Sequence, residues 1–331
     1  MATTLNSDMV IYNDLAQTAY LERIQDVLEV FNASSAGAIR LVNENIEGDL
    51  KKRAFYTVGG SIVHRNVNTD ATVTPAKIGA GEMVGVKYPW KYGPYASTEE
   101  AFKRRARTPE EFSVLVGQDM ADAVMAGYIE IAFAALGAAI GANAAMNASG
   151  SFATDHKKVL TKGMRKFGDR FNRVALFGMD SAAYFDLVDD AIDEKIYEEA
   201  GIVVYGGTPG TMGKPVLVSD RIPADRIFGL QAGAITLTES QVPGVRSYPI
   251  NDQENLALGF RSEGTVNLDL LGYSWADATA GVNPTLAALG TGANWTKYAN
   301  SDKATAGVLI SLTGGSGSGS ASAPPASGSG V

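Results

Sequence analysis

The run from Thr108 to Met146 constrains the fold of this chain more than any other stretch. Thr108 has the side chain of an N-cap, Pro109 suits the first helical position, and Glu110 and Glu111 place negative charge in the first turn. Phe112, Leu115, Val116, Met120, Val124, Tyr128 and Ile131 then recur at helical spacing toward Met146. Unbroken, this is a helix of about 35 residues and roughly 50 Å, beyond the ordinary globular length. No charge occurs between Glu130 and Asp155. A spanning helix wants about 20 predominantly apolar residues, whereas this run is rich in Ala and Gly and is interrupted by Asn143 and Asn147. The pattern favours a buried helix whose small side chains admit a close neighbour.

Composition narrows the function. The 331 residues are 45% hydrophobic, enough for one large core or two modest ones. A net charge of -8 argues against a dedicated nucleic-acid binder while leaving room for local basic patches. There is no cysteine, so disulfides, thiolate metal sites and cysteine nucleophiles are excluded. His64 and His156 are the two histidines. The first residues lack the basic and apolar regions of a signal peptide, so a cytoplasmic start is expected.

Ahead of the long helix, Leu21, Ile24, Leu28 and Phe31 predict an amphipathic helix over 20–31, preceded by a polar arm. Residues 55–96 read as two β arms joined by a polar, Thr-rich middle. In the second arm Val84, Val86, Tyr88, Trp90 and Tyr92 alternate with Gly85, Lys87, Pro89 and Lys91, giving one aromatic face. Pro89 cannot donate to a ladder and predicts a sheet edge or exposed hairpin. The arm is too long to fold back over a small core, so its aromatic face is expected to contact a neighbouring subunit through Tyr88, Trp90 and Tyr92.

Beyond the long helix, Leu160, Met164, Phe167 and Phe171 share one predicted helix face. Lys157, Lys158, Lys162, Arg165, Lys166, Arg170 and Arg173 form a solvated face or one turned toward a polyanion. From Val174 short strands alternate with one helix, an α+β pattern. In the strand that leads into GYSWADATAGVNPT the apolar parity switches from Val266, Leu268 and Leu270 to Leu271, Tyr273 and Trp275, which predicts a bulge or bend at 270–272. The last residues, GGSGSGSASAPPASGSGV, have the composition of a tether.

Catalytic chemistry is hard to find. YGGTPGTMGKP misses the phosphate-loop spacing and precedes a strand instead of a helix. GAGEMVG, residues 79–85, misses the dinucleotide fingerprint and reads as a loop. Asp189, Asp190, Asp193 and Glu194 read as a solvated helix face. Neither histidine has a nucleophile-elbow pattern beside it. Lys87, Tyr88, Trp90, Lys91 and Tyr92 could stack on bases, but the acidic balance favours a protein interface. The expectation is no enzyme, cofactor or metal.

The order of elements, with the runs LFGMDSAAYFDLVDD, GKPVLVSDRIP, IFGLQAGAITLTE, GFRSEGTVNLDLLGYSWADATAGVNPT and ANWTKYANSDKATAGVLI, resembles the major capsid proteins of tailed bacteriophages with the Hong Kong 97-type fold. The resemblance implies an N-terminal arm and helix over 1–54 and an extended E-loop hairpin over 55–107. It also implies a P-domain with the spine helix over 108–175, an A-domain over 176–255, a P-domain return strand and C-terminal segment over 256–313, and a tail over 314–331. It implies self-assembly into hexamers and pentamers of an icosahedral head in the host cytoplasm. The implied partners are a separate scaffolding protein, a portal, decoration proteins and packaged double-stranded DNA, with no membrane. Some members join subunits by Lys-Asn isopeptide bonds; Lys87, Lys91 and Asn283 have the residue types without an alignment to that chemistry. An encapsulin-type compartment shell shares the fold and is the alternative, with a protein cargo instead of DNA.

Overall fold

A computed structural model describes residues 15–24, 35–57, 60, 62–70, 72, 74, 75, 77–98, 109–155, 158–193, 198, 199, 202, 203, 213–240, 243–250 and 257–313. Thr108, His156, Glu194, most of YGGTPGTMGKP and the tail lie outside them.

The strands are, in chain order, β1 (Ile39–Asn43), β2 (Leu50–Thr57), β3 (Gly79–Thr98), β4 (Asn147–Gly150), β5 (Val174–Met179), β6 (Glu198–Glu199), β7 (Ile202–Val203), β8 (Val216–Val218), β9 (Arg226–Gln231), β10 (Ile235–Glu239), β11 (Gly244–Ile250), β12 (Ala257–Leu270), β13 (Tyr273–Trp275), β14 (Trp295–Lys297) and β15 (Gly307–Leu312). One sheet runs β1-β10-β12-β3-β2, with β11 also on β12; a second runs β4-β15-β9-β5-β8. The single apolar pattern DRIFGLQAGAITLT is divided between them. A turn after Gln231, with Gly233 at φ +69°, sends β9 into the second sheet and β10 into the first. Gln231 secures this corner by donating to the carbonyls of Lys303 (2.9 Å) and Thr305 (2.8 Å).

The long helix covers Pro109–Gly141, 33 residues, close to its predicted length. Its apolar run is long enough to cross a membrane, and 67% of an 18-residue apolar stretch within it is buried in the fold. Ala132, Ala135, Leu136, Ala139 and Ile140 are wholly buried. Small side chains let the second sheet come close: Phe133 stacks edge-on against Phe228 at 5.0 Å and lies over Gly178. Gly117 likewise admits Ala16 of the helix over 15–24, which Arg23 ties to Asp122 at 3.2 Å. That helix begins earlier than predicted; Leu28 and Phe31 lie outside the described residues.

A helix at Lys158–Arg165 covers the opposite face of the second sheet, burying Val159, Leu160 and Met164. Gly163 leaves room there for Val308 and Ile310. The predicted single helix through Phe171 is not formed. Gly168 turns the chain at φ +56°, a 3-10 segment follows at Gly168–Arg173, and Phe171 is left 42% exposed.

In the first sheet, glycines receive aromatic rings from the facing strand. Phe55 lies across Gly81, Trp90 across Gly264 and Tyr248 across Gly259, each a directly paired position. Residues 79–85, expected as a loop, therefore begin the 20-residue strand β3. Their glycines fit the pleat because Phe55 and Asp269 occupy the space of the missing side chains. The strand β2 starts at Leu50, so the basic run Lys51, Lys52, Arg53 lies within it.

The bend predicted at 270–272 is present, with Gly272 at φ +83° packed on Thr305. β13 then pairs with β14, and Tyr273 and Trp275 are buried. Trp275 meets Trp295 edge-on at 5.0 Å and donates to the Gly281 carbonyl at 2.8 Å. The Ser274 hydroxyl accepts from the Val84 amide at 2.9 Å, joining this knot to β3.

Candidate functional site

The residues singled out for contact lie in β3, which has two partners over only part of its length. β2 pairs with Gly79 to Val86, while β12 pairs from Val86 to Thr98. Pro89 thus sits just past the last β2 partner, where β3 has become a one-sided edge.

From that edge Tyr88, Trp90 and Tyr92 turn inward to the long helix. They are half-buried against the core of their own chain, which corrects the premise that this face has nothing at home to pack on. Trp90 meets Tyr128 edge-on at 6.4 Å, and the Tyr92 hydroxyl donates to Asp119. Burial comes first, and the Asp119 carboxylate second, in pushing the Tyr92 phenol above its ordinary range. Burial and the Glu130 carboxylate push Tyr88 the same way. Between the three aromatics and the helix a groove of about 190 Å³ remains, floored by Val124, Gly127 and Ile131.

Deeper on that face, Glu239 of β10 accepts from Tyr128 at 2.9 Å and from Tyr20 at 3.4 Å. One carboxylate so joins the first sheet, the long helix and the helix over 15–24. Burial raises the Glu239 carboxyl above its ordinary value, and the two hydroxyls act against that shift. Both phenols are pushed well above the ordinary range, by burial first and by Glu239 second. The link spans 219 residues of sequence between Tyr20 and Glu239 and has no local signal.

Along the open edge of β3 runs a groove of about 1090 Å³, which Lys87, Trp90, Lys91, Glu263 and Asn283 help to line. The Lys87 ammonium is occupied, donating to the carbonyls of Ile46 (2.8 Å) and Gly48. Beside it Gly85 lets Asp269 of β12 approach Lys51 of β2 (3.8 Å) across the intervening strand.

The hairpin end is different. Tyr56, Ile62, Val63, Val67 and Ile78 are all more than half exposed, with Ile62 fully so. Sequence reasoning passed over them because isolated apolar residues in a Thr-rich stretch have no periodicity. His64 stands among them, exposed. Among the described residues no group of three or more His, Asp or Glu is placed to hold a metal ion.

The described residues thus present rings packed against a helix, an exposed apolar hairpin end and two grooves. Residues 8–309 match the family described as Gp13-like, Major capsid protein 13-like, and this chain belongs to that family. It is a bacteriophage major capsid protein, a structural component of the virion and not an enzyme. Among solved structures it is similar to a chain of Mycobacterium phage Cain, at 12% identity and a TM-score of 0.52, covering 85% of this chain and 89% of that one. It is also similar to a chain of Microbacterium phage Oxtober96, at 11% identity and a TM-score of 0.51, covering 84% and 90%. At such identities the likeness concerns the mixed helix-and-sheet fold alone. No curated protein sequence matches the chain.

Proposed function

We propose that this chain is the repeating subunit of an icosahedral phage head, arranged in hexamers and pentamers around double-stranded DNA, with a Hong Kong 97-type fold. In that reading residues 1–54 are the N-arm, 55–107 the E-loop and 108–175 a P-domain built on the long helix as spine. Residues 176–255 are the A-domain, and 256–313 return the chain to the P-domain. A separate scaffolding protein guides assembly in the host cytoplasm, a portal occupies one vertex, and decoration proteins bind outside.

The uncovered end of the β2–β3 hairpin carries this reading. Each large aliphatic side chain removed from water contributes about 1.5–3 kcal/mol, so the four exposed here, Ile62, Val63, Val67 and Ile78, together with Tyr56 favour association strongly. A second copy is the natural cover in a family that builds shells. Tyr88, Trp90 and Tyr92 serve the contact in two ways, by fixing the hairpin root on the long helix and by lining a groove open to a neighbour.

Co-expression with the scaffolding protein tests it. Closed, uniform shells with five-fold and six-fold clusters are expected by electron microscopy. A monomer that forms no shell under those conditions overturns the reading, and uniform shells without scaffold overturn the scaffold requirement.

A further inference from the structure

We propose that the ridge formed by residues 158–173 is a duplex-DNA-binding surface, the part of the subunit that meets the packaged genome. The proposal rests on the capsid reading above and adds to it the surface and the chemistry of contact.

Charge is distributed very unevenly in this chain. Residues 157–173 carry seven cations and one carboxylate, a net +6, so against -8 for the whole chain the rest carries -14. The fold then gathers the cations on one ridge. Lys158, Lys162 and Arg165 recur at i, i+4 and i+7, on the helix face opposite the buried Val159, Leu160 and Met164. The turn at Gly168 redirects the chain, and Arg170 and Arg173 continue the ridge on the 3-10 segment, both exposed.

The two carboxylates at hand are already engaged. Asp155 pairs with Lys162 at 2.5 Å, and Asp169 pairs at 2.5 Å with Lys303, a cation from outside the segment. Lys158, Arg165, Lys166, Arg170 and Arg173 are exposed, and no carboxylate among the described residues lies within ion-pair distance of them. Lys214 adds a further ammonium at the ridge end, donating to the Asn172 carbonyl at 3.5 Å.

The cations outnumber the carboxylates beside them, so an anion brought to the ridge relieves their mutual repulsion. The eight helical residues alone span about 12 Å. Along ~12 Å of duplex lie on the order of 7 phosphates, enough for five cations to be met without base readout. None of the five lines the grooves described above, and Phe171 is the single exposed large apolar side chain in the segment. This is the pattern of a phosphate-facing surface more than of a protein interface, which needs desolvated anchors.

The test compares the full-length subunit with a K158Q/R165Q/K166Q/R170Q/R173Q variant for binding to a 30-base-pair duplex over a salt series. Five phosphate contacts give a slope of log affinity on log salt of about -4.5, or roughly 500-fold weaker binding between 50 and 200 mM salt. The variant is expected to lose nearly all of that slope. R165Q/K166Q alone should lose about 2 of it, which keeps the test decisive if the fivefold variant does not fold. R40Q/R246Q, exposed cations of the first sheet, should leave it unchanged. An unchanged slope in the ridge variants overturns the proposal, as does loss of polyglutamate binding with duplex binding retained, which would assign the ridge to an acidic polypeptide. Electron microscopy of scaffold-assisted shells separates the two readings: shells with an unchanged slope sink the ridge alone, and absence of shells from the unaltered protein sinks the capsid reading whatever the slope.

Discussion

The knot around Trp275 and the end of the β2–β3 hairpin are both rich in large apolar side chains, and the fold treats them in opposite ways. Around Trp275 the chain completes every contact itself: two indoles meet edge-on, and both indole N–H groups reach a carbonyl, Gly281 for Trp275 and Leu289 for Trp295. At the hairpin end Tyr56, Ile62, Val63 and Val67 stand in water. The first region is finished within one chain, and in the proposed reading the second is covered by another copy. Stability should therefore be governed by the first and assembly by the second, and substitutions in each should separate the two quantities.

The largest effect on the folded subunit is expected from Trp275→Ala. Removing a buried indole and its hydrogen bond costs about 3–5 kcal/mol, a large share of a domain's stability. Urea unfolding of the dispersed subunit should show it, and a loss under about 1 kcal/mol would mean that the knot is not the anchor its burial indicates.

A smaller loss is expected where β3 meets β12. A Cβ at Gly264 overlaps the Trp90 ring, so Gly264→Val should cost about 1–3 kcal/mol by overpacking. Gly244→Val, on the neighbouring strand with open space around it, should cost much less. Equal losses at both positions would remove the ring-over-glycine account.

Next comes the pH dependence of the buried carboxylates. Burial raises Glu239 and Asp269 above their ordinary values, so the folded state holds their protons more tightly than the unfolded chain. Stability from these groups is complete below the ordinary carboxylate range and is lost as pH rises through the folded values. The surface pairs of Asp155, Asp169, Asp277 and Asp302 run the other way: their carboxyls are lowered, chiefly by hydrogen bonds from lysines, and their contribution is lost as pH falls. Glu239→Gln keeps an oxygen for the Tyr20 and Tyr128 hydroxyls and removes the proton. Its urea midpoint should decline less than that of the unaltered chain between about pH 4.5 and neutrality. Identical profiles would show that Glu239 does not titrate as its burial requires.

The smallest effect on the subunit belongs to the hairpin end. Replacing Ile62, Val63 and Val67 with Ser should change subunit stability by no more than about 0.5 kcal/mol, because these side chains are already in water. Shell yield from the same protein should fall sharply. A stability loss of several kcal/mol with full shell yield would reverse the comparison.

The sequence was legible wherever the signal is local. The helix opened by Pro109, the alternation in β3 and the change of face before Tyr273 all come from neighbours in the chain, and all are present. Gly168 hid the end of the helix before it, because a residue with φ near +60° leaves the hydrophobic spacing of Phe171 intact while turning the backbone. Glycine was also misread in 79–85. Only strand register shows that Phe55 and Asp269 fill what those residues lack. The inward turn of Tyr88, Trp90 and Tyr92 onto Tyr128 and Asp119 depends on where a helix lies in space, and the latch from Tyr20 to Glu239 joins residues 219 apart. What a partner would cover was least visible. Apolar residues scattered in a polar hairpin look like noise until the fold shows them exposed among the described residues.

A photo-crosslinking residue at position 62 tests the central claim most directly, that the hairpin end is completed by another copy of this chain. In assembled particles a covalent dimer is expected on a denaturing gel, with the dispersed subunit giving none. Assembled shells in which position 62 yields no subunit-to-subunit product would contradict the account.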